Sequence, residues 1–388
     1  MRIFIFLLLP FTMLAQQRTD RALSVTDKAF CTLPDSVIFS TDKIAGYIKS
    51  KTSTPEEFVR AAYVWTTSSI AYDVDRMFEI NFNESGHSLI EKVLKTHKAI
   101  CSGYSELFSE ICTKGGIRSY VVQGYTKMGT ELQNLPHAWV AAEFNDAFCL
   151  FDPTWGAGAV GGGKFIKRFT NEYYKVSPTC FVATHMPFDP MWQFLDHPVS
   201  HRRFTEAKVT IDPATPYFNY RDSIAAYGKK PELEQWETAA ARMEQGGVTN
   251  ALVFDRLSNL KRTILNGREN KKVERYNTSV HLYNDAVNLF NVYIGYRNKQ
   301  FTPKKKDEEI RQMIDSVANA SSQASLIVKE FSGDGALAAN AQSLQKSLAD
   351  LDKRVAEENK FVEKYIQTPR LLRKTLFQKL TWMGVPLN

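Results

Sequence analysis

The run Ala99-Ile100-Cys101-Ser102-Gly103-Tyr104 decides how the first half of this 388-residue chain is interpreted, because it places a cysteine at the start of a strong helical pattern. Apolar side chains then recur at i, i+3, i+4, i+7 and i+8, which predicts one buried stripe along a helix. The stripe consists of Tyr104, Leu107, Phe108, Ile111 and Cys112. Gly115-Gly116 predicts the end of the helix, so we expect it to span residues 101–114 with Cys101 at its first position.

Three segments downstream of this helix have the period-two pattern of strands and are rich in Val, Tyr, Phe and Trp. They are residues 119–126, 137–144 and 147–152. Asn145-Asp146 lies between the last two and has the composition of a hairpin turn. Helices are predicted upstream over residues 42–50, 55–67 and 88–96. The expected fold class is α+β, with the cysteine-bearing helix packed on an antiparallel sheet.

The predicted hairpin brings a histidine and an aspartate together. If its loop has two residues, Phe144 pairs with Ala147, and Asp152 then lies opposite Trp139. His137 precedes Trp139 by two residues, so both side chains point to the same face of the sheet. We therefore expect His137 and Asp152 to be diagonal neighbours, with backbones roughly 5.5–8 Å apart.

A cysteine, a histidine and an aspartate in this order form a thiol acyl-transfer triad. A thiol reacts as the thiolate, and a free cysteine has a pKa near ~8.5. The positive end of a helix and a neighbouring histidine both favour an anion at Cys101. Asp152 would orient His137, and the backbone N–H of Cys101 could be one oxyanion donor. Each residue taken alone is more often structural, so the prediction rests on the three together.

These motifs together resemble the transglutaminase-like cysteine superfamily, which has the papain-like cysteine fold, and within it the branch with kyphoscoliosis-peptidase-like domains. The matching motifs are Cys101-Ser102-Gly103-Tyr104, His137-Ala138-Trp139 and Asp152-Pro153-Thr154-Trp155. Residues 63–73 and 185–195 resemble the family's flanking segments. The aromatic and proline-rich segment 180–201, which contains the latter, is predicted to pack irregularly over the first domain. The resemblance covers about residues 54–195. It implies that Cys101 is the nucleophile, His137 the general base and then acid, and Asp152 the orienting group.

Aromatic residues near the motifs are candidates for lining a substrate cleft. They are Trp65, Tyr72, Tyr104, Trp139 and Trp155. Trp65 and Tyr72 are also candidates for a side-chain oxyanion donor. The alternative for these aromatics is a core position that braces the catalytic helix. The sequence contains no CxxC, HExxH or EF-hand pattern, so no metal or other cofactor is predicted.

Beyond about residue 205 the pattern changes to polar helices with apolar residues three and four apart, which favours long antiparallel helices packed side by side. The seams are Val253, Leu257, Leu260 and Ile264; then Val280, Tyr283, Val287, Phe290 and Ile294; then Leu344, Leu348, Leu351 and Val355. Pro303 and Gly333-Gly335 predict turns. We expect a transglutaminase-like domain over residues 16–204 and a helical domain, bundle or coiled-coil-like, over residues 205–388. The helical half resembles no partner domain of the calcium-dependent enzymes, so calcium dependence is not expected.

The first residues have the pattern of a secretory signal peptide. Met1-Arg2 precedes an apolar run to Leu14, and Ala15 is the candidate cleavage point. The run is too short to span a bilayer, and no other stretch approaches the ~20 apolar residues of a membrane helix. No cysteine follows Ala15, so a lipid anchor is not predicted. The expected location is secreted or periplasmic, with no stable membrane span.

Cysteine number and charge limit the classes of partner. The five cysteines are Cys31, Cys101, Cys112, Cys149 and Cys180. An odd count in an exported protein leaves at least one thiol free, and Cys101 is the best candidate. The other four could form two disulfides in three connectivities, although free thiols are the interpretation we favour. The net charge of +7 is modest, and Lys304-Lys305-Lys306 is followed at once by three acidic residues, so no nucleic-acid partner is predicted.

Two hypotheses from different classes follow. The first is an exported thiol enzyme that acts on amide bonds of a protein or peptide through a thioester, with hydrolysis favoured over transamidation to a lysine. The second is a catalytically silent binding or scaffolding protein of the cell envelope, in which the helical half docks a protein partner. The complete triad favours the first hypothesis, and the large helical half keeps the second open.

Overall fold

The computed structural model describes residues 23–144, 146–207, 209–377, 381–382 and 385–386. The signal peptide expected over residues 1–15 lies outside the described residues. The chain divides into two compact units, of which the first ends at Ile264 and the second begins at Leu265.

The central element of the first unit is a four-stranded antiparallel sheet in the order β5-β4-β3-β8. Two-stranded pairings join β1 to β2, β6 to β7 and, in the second unit, β9 to β10. The strands are β1 Ala71–Tyr72, β2 Lys98–Ala99, β3 Ser119–Met128, β4 Glu131–Phe144, β5 Ala147–Phe151, β6 Gly158–Gly161, β7 Lys164–Lys167, β8 His185–Pro187, β9 Thr381–Trp382 and β10 Val385–Pro386. Phe144 pairs with Ala147, which confirms the predicted register of the β4–β5 hairpin.

Helices surround this sheet and continue beyond it. The α-helices of the first unit are α1 Val25–Lys28, α2 Thr41–Lys51, α3 Pro55–Ser69, α4 Gly86–Thr96, α5 Cys101–Lys114, α6 Pro153–Ala157, α7 Pro178–Phe181, α8 His201–Thr205, α9 Tyr220–Tyr227 and α10 Glu232–Gly246, with a 3₁₀ turn at Pro190–Gln193. The helix α11 Ala251–Asn298 begins in the first unit and ends in the second. The fold is therefore α+β, as the sequence predicts.

The helix α5 packs on the sheet with the stripe that the sequence predicts. Tyr104, Leu107, Phe108 and Ile111 are fully buried and share one core with α2, α3 and the strands β4 and β5. Its bounds, Cys101–Lys114, are those expected from the pattern. Because this stripe holds α5 against the sheet, the first turn of the helix lies beside His137 in β4 and Asp152 just after β5.

Gly103 allows the close approach of α4 to α5. A Cβ at this position would lie 2.9 Å from the Cβ of Ala99 and 2.9 Å from Cγ2 of Val93. Real Cβ contacts essentially never come this close, so a side chain here would push α4 away from the first turn of α5. The glycine two residues after the cysteine is therefore a packing requirement of the fold.

The glycine-rich segment after Trp155 forms a hairpin. β6 and β7 pair from Gly158–Lys167 to Gly161–Lys164. Gly162 and Gly163 form its tip with φ of 58° and 73°, a conformation that favours glycine. The glycines thus serve the tip of a hairpin that extends from the end of α6.

The second unit consists of the end of α11 with α12 Asp307–Val328 and α13 Ala338–Gln367, followed by a 3₁₀ turn at Arg373–Phe377; another, at Lys329–Phe331, follows α12. The second and third predicted seams pack in the cores of this unit, where Phe290 lies with Ile314, Val317, Leu351 and Val355. Pro303 and Gly333-Gly335 lie between the helices, as expected for turns. In the described part of the chain, no helix combines the length and the apolar character needed to cross a membrane.

The division between the two units lies later than the boundary at residue 205 that the change in composition suggests. The seam Val253, Leu257, Leu260 and Ile264 packs with Tyr125, Met186 and Phe204 in the core of the first unit. The helix α10 contributes Ala240 and Met243 to the same core. A helical pattern shows that a segment is amphipathic, but it does not show which apolar surface the segment covers.

We predict that Gly103→Ala lowers the free energy of unfolding by roughly 1–3 kcal/mol, because the added methyl group overpacks the α4–α5 contact. Gly46→Ala is the matched control, since Gly46 lies in α2 and a Cβ added there would meet nothing within 4 Å. Alanine favours a helix interior by up to ~1 kcal/mol over glycine, so Gly46→Ala should stabilise the protein. Urea unfolding of both variants checks this, and equal stabilisation by the two would contradict the packing role of Gly103.

Candidate active site

Cys101 is held at the amino end of α5. The residue before it, Ile100, is the N-cap, has an extended backbone and supplies no side-chain hydrogen bond to the helix. The short strands β1 and β2 pair in parallel just before it, with Tyr72 opposite Ala99. The first N–H groups of a helix have no partner within the helix, and its dipole places partial positive charge there. The sulfur of Cys101 therefore lies where the backbone favours an anion.

His137 and Asp152 meet at the end of the β4–β5 hairpin. His137 Nε2 lies 2.7 Å from Asp152 Oδ2. This contact follows from the confirmed hairpin register, which places the two residues on one face. The side chain of Asp152 is fully buried, and that of His137 is 9% exposed.

The Asp152 carboxylate accepts four hydrogen bonds. The backbone N–H groups of Thr154 and Trp155 donate to Oδ1 at 2.9 and 3.1 Å, because Asp152 is the N-cap of α6. His137 Nε2 and His185 Nε2 lie 2.7 and 3.2 Å from Oδ2. An ionised carboxylate can only accept, so both imidazoles donate N–H to the same oxygen.

The charges of these groups follow from burial and from these bonds. Burial opposes ionisation of Asp152, but the charge and hydrogen bond of His137, with the bond from His185, hold the pKa of Asp152 well below its ordinary value. Burial also opposes charge on His137, but Asp152 and the adjacent Cys101 raise the pKa of His137 to about 10. For His185 burial wins, and its pKa falls to about 4. The structure therefore favours one imidazolium, at His137, beside one carboxylate.

Cys101 and His137 are neighbours in one cleft. Cys101 lies close enough to His137 to contribute to the raised pKa of the histidine. Since Nε2 of His137 is bonded to Asp152, Nδ1 is the ring nitrogen that can serve the thiol. Both residues line a cleft of about 720 Å³, and Cys101 is 8% exposed. The structure thus brings together the three residues predicted from sequence.

The predicted cleft aromatics separate into two groups. Tyr72 and Trp155 line the cleft, and the ring centre of Trp155 lies 5.4 Å from that of His137. Trp65, Tyr104 and Trp139 do not line it, because they are at most 1% exposed and lie in apolar cores. Tyr104 instead donates from its hydroxyl to the backbone carbonyl of Ile70 at 2.7 Å, which ties α5 to the end of α3.

His185 is the site residue that sequence analysis did not find. It lies on β8, where it pairs with Thr126 at the edge of the sheet. In the sequence, His185 lies in a segment rich in aromatic residues and proline, which we interpret as irregular. In the structure, it lies on a strand of only three residues. The pairing joins residues far apart in the chain, so no local pattern places His185 beside Asp152.

The cysteines are free thiols throughout: Cys31, Cys101, Cys112, Cys149 and Cys180. Two of them, Cys101 and Cys112, are buried, and Cys180 is exposed. In the described residues, His137, Asp152 and His185 are a group whose ligand-type atoms lie within 4.8 Å of one another. The two hydrogen bonds from the histidines to Asp152 account for this arrangement, so we interpret the group as a hydrogen-bonded cluster.

Comparison with known proteins assigns the part of the chain that holds this site. The sequence profile of the Transglutaminase-like superfamily matches residues 42–153. This part of the chain belongs to the transglutaminase-like superfamily. The matched segment contains Cys101, His137 and Asp152, and His185 lies beyond it.

The transglutaminase-like domain is similar to part of two curated proteins. It is 32% identical to the kyphoscoliosis peptidase of Mus musculus over 156 residues, which is 38% of this chain and 23% of that protein. It is 30% identical to the kyphoscoliosis peptidase of Homo sapiens over 171 residues, 42% of this chain and 25% of that protein. The match therefore spans about a quarter of the length of these relatives.

Solved structures also resemble part of the chain. A structure titled "Crystal structure of a TGase" is 18% identical with a TM-score of 0.25, covering 37% of this chain and 38% of that chain. The periplasmic domain of TgpA from Pseudomonas aeruginosa is 20% identical with a TM-score of 0.25, covering 34% of this chain and 47% of that chain. Both similarities cover less than half of either chain.

We predict that the free energy of unfolding falls as pH is lowered from about 6.5 to about 4. Burial lowers the pKa of His185 and of His201 to about 4, whereas an unfolded histidine titrates near its ordinary 6.5. In this window the unfolded chain binds protons that the native protein does not, so stability rises with pH. His137 acts in the opposite sense, because its raised pKa contributes stability that is lost only as pH rises from 6.5 towards 10.

Urea unfolding at several pH values between 4 and 7 measures this dependence. His201→Leu removes one of the two low-pKa histidines, so its stability should depend less steeply on pH in this window, by up to one proton. An unchanged slope in His201→Leu would contradict the assignment for His201.

Proposed function

We propose that this protein is a thiol-dependent acyl-transfer enzyme that cleaves amide bonds of a protein or peptide. The observation that supports this most strongly is that Cys101 and His137 line one cleft while His137 is hydrogen bonded to the buried carboxylate of Asp152. A histidine that lies beside a cysteine and is hydrogen bonded to a buried carboxylate is the arrangement that activates a thiol.

In the proposed acylation step, the Cys101 thiolate attacks the amide carbonyl carbon, and the carbonyl electrons move to its oxygen. The tetrahedral intermediate then collapses, the C–N bond breaks, and the His137 imidazolium gives its proton to the leaving amine. A thioester on Cys101 and a neutral His137 remain. Asp152 keeps Nε2 of His137 protonated, so that Nδ1 is the nitrogen that exchanges a proton with the reacting groups.

In the proposed deacylation step, neutral His137 takes a proton from water, and the resulting hydroxide attacks the thioester carbonyl. The C–S bond breaks, which releases a carboxylic acid and restores the Cys101 thiolate beside the His137 imidazolium. A lysine amine in place of water would give an isopeptide crosslink. We favour hydrolysis, since the curated relatives are named peptidases, and a product analysis distinguishes the two.

Tyr72 is the proposed side-chain donor to the oxyanion. It lines the cleft with Cys101, whereas the other candidate, Trp65, is buried in the core. Because β1 pairs with β2, Tyr72 lies opposite Ala99, two residues before Cys101. Burial, followed by the charges of Cys101 and Asp152, raises the pKa of Tyr72, which keeps its hydroxyl protonated as a donor. The backbone N–H of Cys101 is the proposed second donor.

The wall of the cleft supports a polypeptide substrate with apolar side chains. Met128 at the end of β3 is 60% exposed, and Val160 and Ile166 on the β6–β7 hairpin are also exposed. Three exposed apolar side chains around one cleft are the kind of surface that binds a partner. We also propose export to the periplasm or medium, on the pattern of residues 1–15 alone. For the helical residues after 205 we propose a protein partner.

We predict that iodoacetamide alkylates Cys101 much faster at pH 6 than it alkylates Cys180, which is an exposed thiol in the same molecule. The reason is that the neighbouring His137 imidazolium and the amino end of α5 favour the thiolate, which is the form that reacts. Mass spectrometry of the two cysteine peptides measures both rates in one sample.

His137→Ala is the variant that tests the cause, and it should lower the Cys101 rate at pH 6 to about that of Cys180. Equal rates in the unaltered protein, or no effect of His137→Ala, would refute the enzyme hypothesis and leave the silent scaffolding protein as the better explanation.

We predict that Tyr72→Phe lowers the rate of acylation of Cys101 by an activated p-nitrophenyl ester roughly 10²–10³-fold, as loss of one oxyanion donor does. The loss should fall on kcat more than on KM, since the bond forms in the transition state. Tyr120→Phe is the matched control, because Tyr120 is a partly buried tyrosine on β3 that packs on Trp192. If the two variants had the same rate, Tyr72 would not be the donor.

A further inference from the structure

His185 is buried against the Asp152 carboxylate and does not line the cleft. It is 1% exposed, and its Nε2 lies 3.2 Å from Asp152 Oδ2. Its ring stacks on Phe181, with centroids 4.0 Å apart and planes at 25°. Trp139 and Trp155 pack on the same ring at centroid distances of 5.2 and 4.7 Å. The ring is therefore fixed in position by aromatic contacts.

A hydroxyl fixes which nitrogen of His185 carries the proton. Thr184 Oγ1 lies 2.8 Å from His185 Nδ1. Because Nε2 must donate to a carboxylate, and burial keeps the ring neutral, Nδ1 is left as the acceptor of the Thr184 hydroxyl hydrogen. The hydrogen bonds then run in one direction, from Thr184 to His185 to Asp152.

We propose that His185 is a positioning residue, whose Nε2–H fixes Oδ2 of Asp152 so that this oxygen faces His137. The proposal rests on the proposed function of Cys101, His137 and Asp152. The backbone N–H groups of α6 hold Oδ1 and leave Oδ2 to the two imidazoles. Without His185, the position of Oδ2 would be held by the hydrogen bond from His137, and His137 must exchange protons with Cys101 during the reaction. His185 holds the carboxylate in place through those changes.

The surroundings of the ring contain few other groups that could perturb its charge. In the described part of the chain, the titratable side chains that face His185 are Asp152, His137 and Tyr173, whose ring centre lies 6.0 Å away. Phe181 and the two tryptophans are apolar neighbours. The pH dependence of the site is therefore expected to report on Asp152 and its two histidines.

His201 offers a matched control within the same unit. It is 2% exposed, it stacks on Tyr125, and its Nδ1 lies 3.0 Å from the Tyr125 hydroxyl. Its Nε2 lies 3.1 Å from the carbonyl oxygen of Phe188 rather than from a carboxylate. Replacing His201 thus removes a comparable buried ring and two comparable hydrogen bonds, but nothing bonded to Asp152.

The test compares His185→Leu, His185→Gln, Thr184→Val and His201→Leu with the unaltered protein. The first readout is the rate of Cys101 alkylation by iodoacetamide between pH 4 and 9. The second is the pKa of His137 from ¹⁵N NMR of its ring. His185→Gln keeps an N–H donor near the position of Nε2, and Thr184→Val removes only the hydroxyl that orients the ring.

We expect His185→Leu to lower the rate of Cys101 alkylation at pH 6 about tenfold. The acidic limb of the profile of rate against pH should move upward by about one pH unit. The pKa of His137 should fall by about one unit, since a tenfold change in an equilibrium is one pKa unit. His185→Gln should recover most of the rate, and Thr184→Val should shift the limb less. His201→Leu should lose stability and keep the unaltered profile. If His185→Leu does not fold, Thr184→Val decides, and a profile identical to the unaltered protein would overturn the proposal.

An unchanged profile and unchanged His137 pKa in folded His185→Leu would also overturn it, as would the same shift in His201→Leu. Failure of the proposed function has a different signature, in which Cys101 of the unaltered protein reacts no faster when His137 is present than in His137→Ala. In that case the His137 pKa alone decides: a fall in His185→Leu supports positioning by His185, and no change refutes it.

Discussion

The rest of the site depends on the hydrogen bonds that the buried carboxylate of Asp152 accepts. Burying a charged group is costly unless it is paired and hydrogen bonded. Here the carboxylate accepts two backbone N–H groups and two imidazole N–H groups, so both of its oxygens are used. The elements that supply these donors, α6, β4 and β8, must therefore keep their relative positions for the carboxylate to remain ionised.

Two local features, the β4–β5 hairpin and the turn into α6, hold these elements in position and are supported by one core. The confirmed β4–β5 register places His137 beside Asp152, and the turn into α6 supplies the two backbone donors. The apolar stripe of α5 packs with residues of β4 and β5 in one core and so holds Cys101 beside this pair of strands. Gly103 removes the side chain that would otherwise separate α4 from this turn of α5. The reacting groups lie on helices and strands, which hold them more rigidly than loops would.

The two histidines on Asp152 differ in charge although they bond the same oxygen. His137 also contacts Cys101 and retains a proton, whereas His185 is enclosed by Phe181, Trp139 and Trp155 and is neutral. Burial of an imidazolium is costly, and one carboxylate can offset that cost for one ring only. This difference in surroundings separates a group suited to proton transfer from one suited to fixing geometry.

Local sequence patterns were sufficient to predict the elements whose causes are local. The helix from Cys101, the β4–β5 hairpin and the meeting of His137 with Asp152 follow from periodicity and from pairing of residues close in the chain. Contacts between distant segments determine which aromatics are buried: Trp65 and Tyr72 are both candidates in the sequence, but only Tyr72 lines the cleft. The tertiary structure also decided that the seam from Val253 to Ile264 belongs to the first unit, and that His185 reaches Asp152. These outcomes depend on contacts between segments far apart in the chain, and an amphipathic pattern does not specify the partner that its apolar face will cover.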